Sequence, residues 1–104
     1  MCAIAGILNL PANEMTIAQM LHTMRRRGPD GKGSYLSGHN TLLHTRLSII
    51  DPSGGAQPMV LDYDNERYIL TYNGELYNTL ELRQELQRMG HVFYGHSDTE
   101  VLLH

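Results

Sequence analysis

Apolar residues along this 104-residue chain fall in blocks, and the spacing inside each block predicts its element. Cys2-Ala3-Ile4-Ala5-Gly6-Ile7-Leu8 is apolar on both faces and predicts a buried strand, with Cys2, Ile4, Gly6 and Leu8 on one side. Asn9 to Asn13, with Pro11, ends it. Ile17, Met20, Leu21 and Met24 then recur at helical spacing, which predicts a helix over 14–27 with Asn13 as N-cap. Arg25, Arg26 and Arg27 would close that helix, where cations suit its dipole, and Gly28-Pro29-Asp30-Gly31 stops it.

Short strands are expected over 33–36 and 41–47, turned by Ser37-Gly38-His39-Asn40. Residues 51–58 read as a loop. A hairpin pairs 59–62 with 67–72 around Asp64-Asn65-Glu66. Asn73-Gly74-Glu75 breaks the pattern. Asn78, with Glu81 three residues on, resembles a capping box opening a second helix, striped by Leu82, Leu86 and Met89 and stopped by Gly90. A strand is expected over 91–95. Ser97-Asp98-Thr99-Glu100 repeats the capping pattern and opens a third helix that reaches His104 after about one turn. An element cut so short predicts the N-terminal portion of a larger domain.

Composition narrows the function classes. The chain is 41% apolar and 18% charged, which fits one soluble globular domain or part of one. A net charge of −3 gives no footing for nucleic acid or an anionic membrane, and three arginines in a row are too few to reverse that. A single cysteine rules out an internal disulfide and fits a reduced, cytoplasmic setting. The longest apolar run is far too short to span a bilayer. The six histidines show no metal-ligand spacing and receive no catalytic role. Asp62, Asp64 and Glu66 alternate like the start of a calcium loop, but the glycine and the closing glutamate are missing.

The chemistry concentrates at Cys2. Once Met1 is removed, Cys2 carries a thiol and a free α-amine. An α-amine ordinarily titrates at about 7.7–8.0 and a thiol at about 8.5. The amine is then partly unprotonated at neutral pH and can take the thiol proton, directly or through one water. One residue supplies nucleophile and base together. On position alone, a small buried apolar role for Cys2 stands beside this reading.

Further stretches decide between them: Arg27-Gly28-Pro29-Asp30, Arg46-Leu47-Ser48-Ile49-Ile50-Asp51, Gly55-Ala56-Gln57-Pro58, Tyr72-Asn73-Gly74-Glu75-Leu76-Tyr77-Asn78 and Ser97-Asp98-Thr99-Glu100. With Met1-Cys2 they span nearly the whole chain. In this order the sequence resembles the start of a class II glutamine amidotransferase domain, of the N-terminal-nucleophile hydrolase type. Among its members it is most similar to the glutaminase domain of glutamine-dependent asparagine synthetases. Ala3 and Arg26 depart from that pattern, standing where many members have glycine and histidine.

The resemblance implies an α+β fold, the first half of a four-layer α/β/β/α sandwich with antiparallel sheets. It implies that L-glutamine is hydrolysed through a cysteinyl thioester. Cys2 would attack, and the Asn73 side chain and Gly74 backbone N–H would hold the oxyanion. Arg46 would grip the α-carboxylate, and Asp98 and Glu75 would take the α-ammonium and its polar neighbours. The backbone of Leu47, Ser48, Ile49 and Ile50 would line the pocket. Ammonia would pass to a C-terminal synthetase domain of the same chain, making asparagine from aspartate with ATP and magnesium. No cofactor is expected within these 104 residues, which alone are expected to be inactive. A homodimer is compatible with all of this. Two alternatives stay open: the glutaminase domain of another class II amidotransferase, or an inert glutamine-binding or structural fragment that keeps Met1.

Overall fold

A computed structural model of the chain describes residues 2–47 and 55–104. The expectations for Met1, Ser48, Ile49, Ile50 and the loop up to Gly54 lie outside them. In chain order the elements are β1 (Ala3–Ile7), α1 (Glu14–Met24), β2 (Gly31–Ser37), β3 (Asn40–Arg46), β4 (Met59–Tyr63), β5 (Glu66–Leu70), α2 (Thr79–Arg88) and α3 (Asp98–Leu103). Helices accompany two antiparallel sheets, so the fold is α+β as expected. One sheet has the order β1-β3-β2, and the other is the β4-β5 hairpin.

The central strand of the larger sheet is its most buried element. Leu43, His44 and Thr45 are all but inaccessible, at 0%, 1% and 1% exposure. Strand β3 pairs on one side with β1, where Ile4 meets His44, and on the other with β2, where Gly33 meets His44 and Gly31 meets Arg46. Helix α1 packs against β3 and β1, burying Ile17. Thr45 Oγ1 donates to the Met24 carbonyl at 3.1 Å and ties the helix end to β3. The two faces of β1 are therefore not alike. Ala3, Ala5 and Ile7 are half-buried, whereas Ile4 on the opposite face is 47% exposed. The expectation that both faces are buried is corrected, because α1 covers only one of them.

Two glycines set the spacing around this sheet. A Cβ on Gly28 would lie 2.3 Å from the Thr45 carbonyl carbon, so only glycine lets the turn after α1 run against β3. A Cβ on Gly33 would lie 2.0 Å from the Gln57 carbonyl oxygen, which seats the 55–58 segment on the sheet face shared by His44 and Arg46.

Helix α1 is capped by Asn13, whose side chain accepts from the Thr16 N–H at 2.8 Å. It ends at Met24, so the three arginines form the turn beyond it instead of its last turn. The β4-β5 hairpin turns on Asp64 and Asn65, both at positive φ (52° and 62°), as a two-residue type I′ turn requires. Helix α2 starts where expected, but Asn78 makes no side-chain capping bond. Its ψ of 33° is far from the extended value from which an N-cap side chain reaches forward. The helix closes in a Schellman motif: His91 N–H donates to the Leu86 carbonyl, Gly90 N–H to that of Gln87, and Gly90 has φ of 97°.

The strand expected over 91–95 is absent. The N–H groups of Tyr94 and Gly95 donate to the two Glu100 carboxylate oxygens, at 2.7 and 2.8 Å, and not to a neighbouring strand. Glu100 is thereby diverted from its share of a capping box, although Ser97 keeps its own by accepting from the Glu100 N–H at 3.2 Å. Helix α3 packs on the hairpin and α2 packs on α3.

Candidate active site

Cys2 immediately precedes β1, and alternation puts its side chain on the Ile4 side of the sheet. Ile4 pairs with His44, and Arg46 lies two residues further along β3 on the same face. Thiol, imidazole and guanidinium therefore come from one corner of one sheet. The sulfur is held where β3 ends. Leu47 N–H donates to Cys2 Sγ at 3.4 Å, and Sγ lies 3.9 Å from the Leu47 carbonyl oxygen.

Asn73, Gly74 and Glu75 leave the hairpin beyond β5. The strand was expected to continue to Tyr72 but stops at Leu70, because the next residues are held by other partners. Thr71 Oγ1 donates to the Leu43 carbonyl at 3.4 Å, and Tyr72 N–H donates to Gln57 Oε1 at 2.6 Å. The Tyr72 hydroxyl folds back over Gly74, where a Cβ would lie only 2.7 Å from it. Asp98, the first residue of α3, accepts from the Leu76 N–H at 3.0 Å and fixes the far end of this stretch.

Cys2, Arg46, Leu47, Asn73, Gly74, Glu75 and Asp98 all line one cavity of about 470 Å³. That volume lies within the range of small-molecule pockets. Every site residue expected from the sequence and described here is in this wall. Ser48, Ile49 and Ile50 lie outside the described residues. Thiol, guanidinium, carboxamide and carboxylates converge from the larger sheet, the stretch after β5 and the start of α3. Such a set can grip an amino acid at its charged end and attack a carbonyl at the other.

The wall also contains residues to which sequence reasoning gave no role. His44 is one of them. Burial pushes its imidazole below the ordinary value of 6.5, the nearby Arg46 charge adds to this, and a hydrogen bond to the Tyr72 backbone opposes it. Its Nε2 is buried without a hydrogen-bond partner among the described residues. Its place on β3, two residues before Arg46, is the signal that could have found it. Gln57 and Thr99 also line the cavity, and they are hydrogen-bonded to each other at 3.2 Å. Among the described residues no group of three His, Cys, Asp or Glu side chains is placed to hold a metal ion. None of the described helices is long and apolar enough to cross a membrane.

Residues 1–104 match the sequence model of a family described as a glutamine amidotransferase domain. The chain belongs to that family. It is 44% identical over 108 residues to asparagine synthetase [glutamine-hydrolyzing] 3 of Bacillus subtilis (strain 168), covering 100% of this chain and 18% of the relative. It is 42% identical over 109 residues to asparagine synthetase [glutamine-hydrolyzing] 1 of the same organism, covering 99% and 17%. Against asparagine synthetase [glutamine-hydrolyzing] 1 of Arabidopsis thaliana the identity is 38% over 108 residues, covering 100% and 18%. This glutamine amidotransferase domain thus spans less than a fifth of the length of these curated relatives.

Proposed function

We propose that this glutamine amidotransferase domain hydrolyses L-glutamine through a thioester on Cys2. The observation that supports it most is the meeting of Cys2, Arg46, Asn73, Gly74 and Asp98 around one cavity. Removal of Met1 frees the Cys2 α-amine, which takes the thiol proton. The thiolate attacks the side-chain carboxamide carbon of glutamine. The oxyanion that forms is held by the Asn73 side-chain N–H and the Gly74 backbone N–H. Losing one such donor typically costs about 2.7–4 kcal/mol of transition-state stabilisation. Collapse breaks the C–N bond, and the Cys2 ammonium returns its proton to the departing nitrogen as ammonia leaves. Water then attacks the thioester, releasing glutamate and restoring the thiol.

Arg46 pairs with the substrate α-carboxylate, for which a guanidinium is shaped. Asp98 and Glu75 face the α-ammonium and its surroundings. In the full-length protein, ammonia passes to a C-terminal synthetase part that joins it to aspartate with ATP and magnesium to make asparagine. The names of the relatives support asparagine as the product, and aspartate, ATP and magnesium follow from the family resemblance.

The test is Cys2→Ala in the full-length protein, with intact-mass measurement of Met1 removal in the parent. The variant is expected to lose glutamine-driven synthesis and keep ammonia-driven synthesis. Glutaminase activity that survives in Cys2→Ala would refute the assignment.

A further inference from the structure

Three segments supply the parts of the proposed glutamine site, and one residue touches all three, the sheet through its main chain and the other two through its side chain. The main chain of Gln57 sits on the larger sheet, its carbonyl oxygen in the space left by Gly33, on the face that carries His44 and Arg46. Its side-chain Oε1 accepts from the Tyr72 N–H at 2.6 Å, one residue before Asn73 and two before Gly74. Its Nε2 donates to Thr99 Oγ1 at 3.2 Å, one residue after Asp98. Gln57 and Thr99 both lie in the cavity wall.

From this we infer that Gln57 is a positioning residue. It spaces the oxyanion pair Asn73–Gly74 against Asp98 at the start of α3, and holds both to the sheet that carries Cys2. The inference rests on the glutaminase reading and adds a residue to which that reading gives no role. A primary amide is suited to this place because it offers an acceptor and a donor at one end. Asparagine is one methylene too short to reach both partners, and methionine has the reach without the N–H donor and with only a weakly accepting sulfur in place of the amide oxygen. The consequence for rate follows from geometry: misplacing a reacting group by about 1 Å can cost around a hundredfold. The two arms divide the labour. The Tyr72 arm bears on the oxyanion donors, which act only in the transition state. The Thr99 arm bears on Asp98, which holds ground state and transition state alike.

The experiment uses the full-length protein and measures glutamine hydrolysis, the rate at which a glutamine-shaped diazoketone labels Cys2, and exchange of the Tyr72 amide. Gln57→Met is expected to lower kcat by about tenfold or more, and to raise KM as well. Thr99→Val, which removes one arm and keeps the shape, is expected to raise KM with kcat within about twofold of the parent, and Thr99→Ser to restore it. Diazoketone labelling should slow in Gln57→Met while labelling by the small alkylator iodoacetamide does not. A Gln57→Met enzyme with parental kcat and KM overturns the inference, and so does a Thr99→Ser enzyme no better than Thr99→Val. A lowered Tm with unchanged kinetics also overturns it, by making Gln57 structural only. If Gln57→Met does not fold, the Thr99 pair decides. If the parent itself neither hydrolyses glutamine nor takes the diazoketone at Cys2, the glutaminase reading fails. The bridge is then judged by Tyr72 exchange, which must quicken about tenfold or more in Gln57→Met for the spacing role to stand.

Discussion

Arg46 is where a single side chain has the most to do for binding. It stands at the end of β3, half-buried, with its backbone fixed by pairing to Gly31 and by the Asp30 N–H at 2.8 Å. The planar fork of a guanidinium is pre-organised, so little freedom is lost per hydrogen bond when it meets a carboxylate. A hydrogen bond to a charged group is worth about 1.5–3 kcal/mol. Arg46→Ala should therefore raise KM for glutamine roughly ten- to a hundredfold and leave kcat nearly unchanged, since the contact is made equally in ground and transition states. Steady-state kinetics in the full-length protein check this, and a large loss of kcat at constant KM would count against it. At this scale the candidates came from the ordered stretches that carry the family resemblance, each weak alone, and Cys2, Arg46, Asn73, Gly74 and Asp98 from those stretches all line one cavity. The roles of His44, Gln57 and Thr99 were not legible in the sequence. A buried histidine, a glutamine and a threonine carry no chemistry of their own until the fold shows what their polar atoms face.

At the scale of elements, two asparagines with the same expected part behave differently. Asn13 and Asn78 both precede helices, yet only Asn13 turns its side chain onto the first turn, taking the Thr16 N–H. Replacing an N-cap of this kind by alanine costs about 1 kcal/mol of stability, which lowers Tm. Asn13→Ala should show that loss and Asn78→Ala should show little of it. Equal shifts in thermal unfolding would contradict the difference in geometry. The same contrast explains which elements were legible. Helix α1, β3 and the β4-β5 hairpin follow from local spacing and turn residues, so they formed close to where the pattern put them. The strand expected over 91–95 depended on a partner for its backbone, and Glu100 supplied a different one. Nor could spacing show that α1 would cover one face of β1 and leave Ile4 outside.

For the molecule as a whole, the buried His44 and the half-buried His104 contribute to how stability responds to pH. Burial lowers the pKa of His44, and the Arg46 charge lowers it further. Burial also lowers that of His104, joined by the nearby His91 and Arg83 and opposed by Glu100. Both groups ordinarily titrate near 6.5. Below that value the unfolded chain takes up protons that the folded chain refuses, so the unfolded state binds more protons and stability falls as pH falls. Above it both states are neutral at these positions and the dependence vanishes. The slope is at most about 1.4 kcal/mol per pH unit for each histidine, and it ends where the folded group itself protonates. Asp62 does not confuse this window. Arg67 lowers its pKa, and the stability it contributes is present above its ordinary 3.8 and lost only beneath it. Tm measured from pH 7.5 down to 5.5 should therefore hold steady at first and then drop below about 6.5. His44→Leu should flatten part of that drop, because it removes the titrating ring and an Nε2 without a partner among the described residues. A parent whose Tm rises on acidification, or a His44→Leu variant that keeps the full slope, would show that this buried imidazole does not govern the response. The link to the site is direct, since a proton on His44 would add a second cation beside Arg46 in the wall of the cavity that holds Cys2.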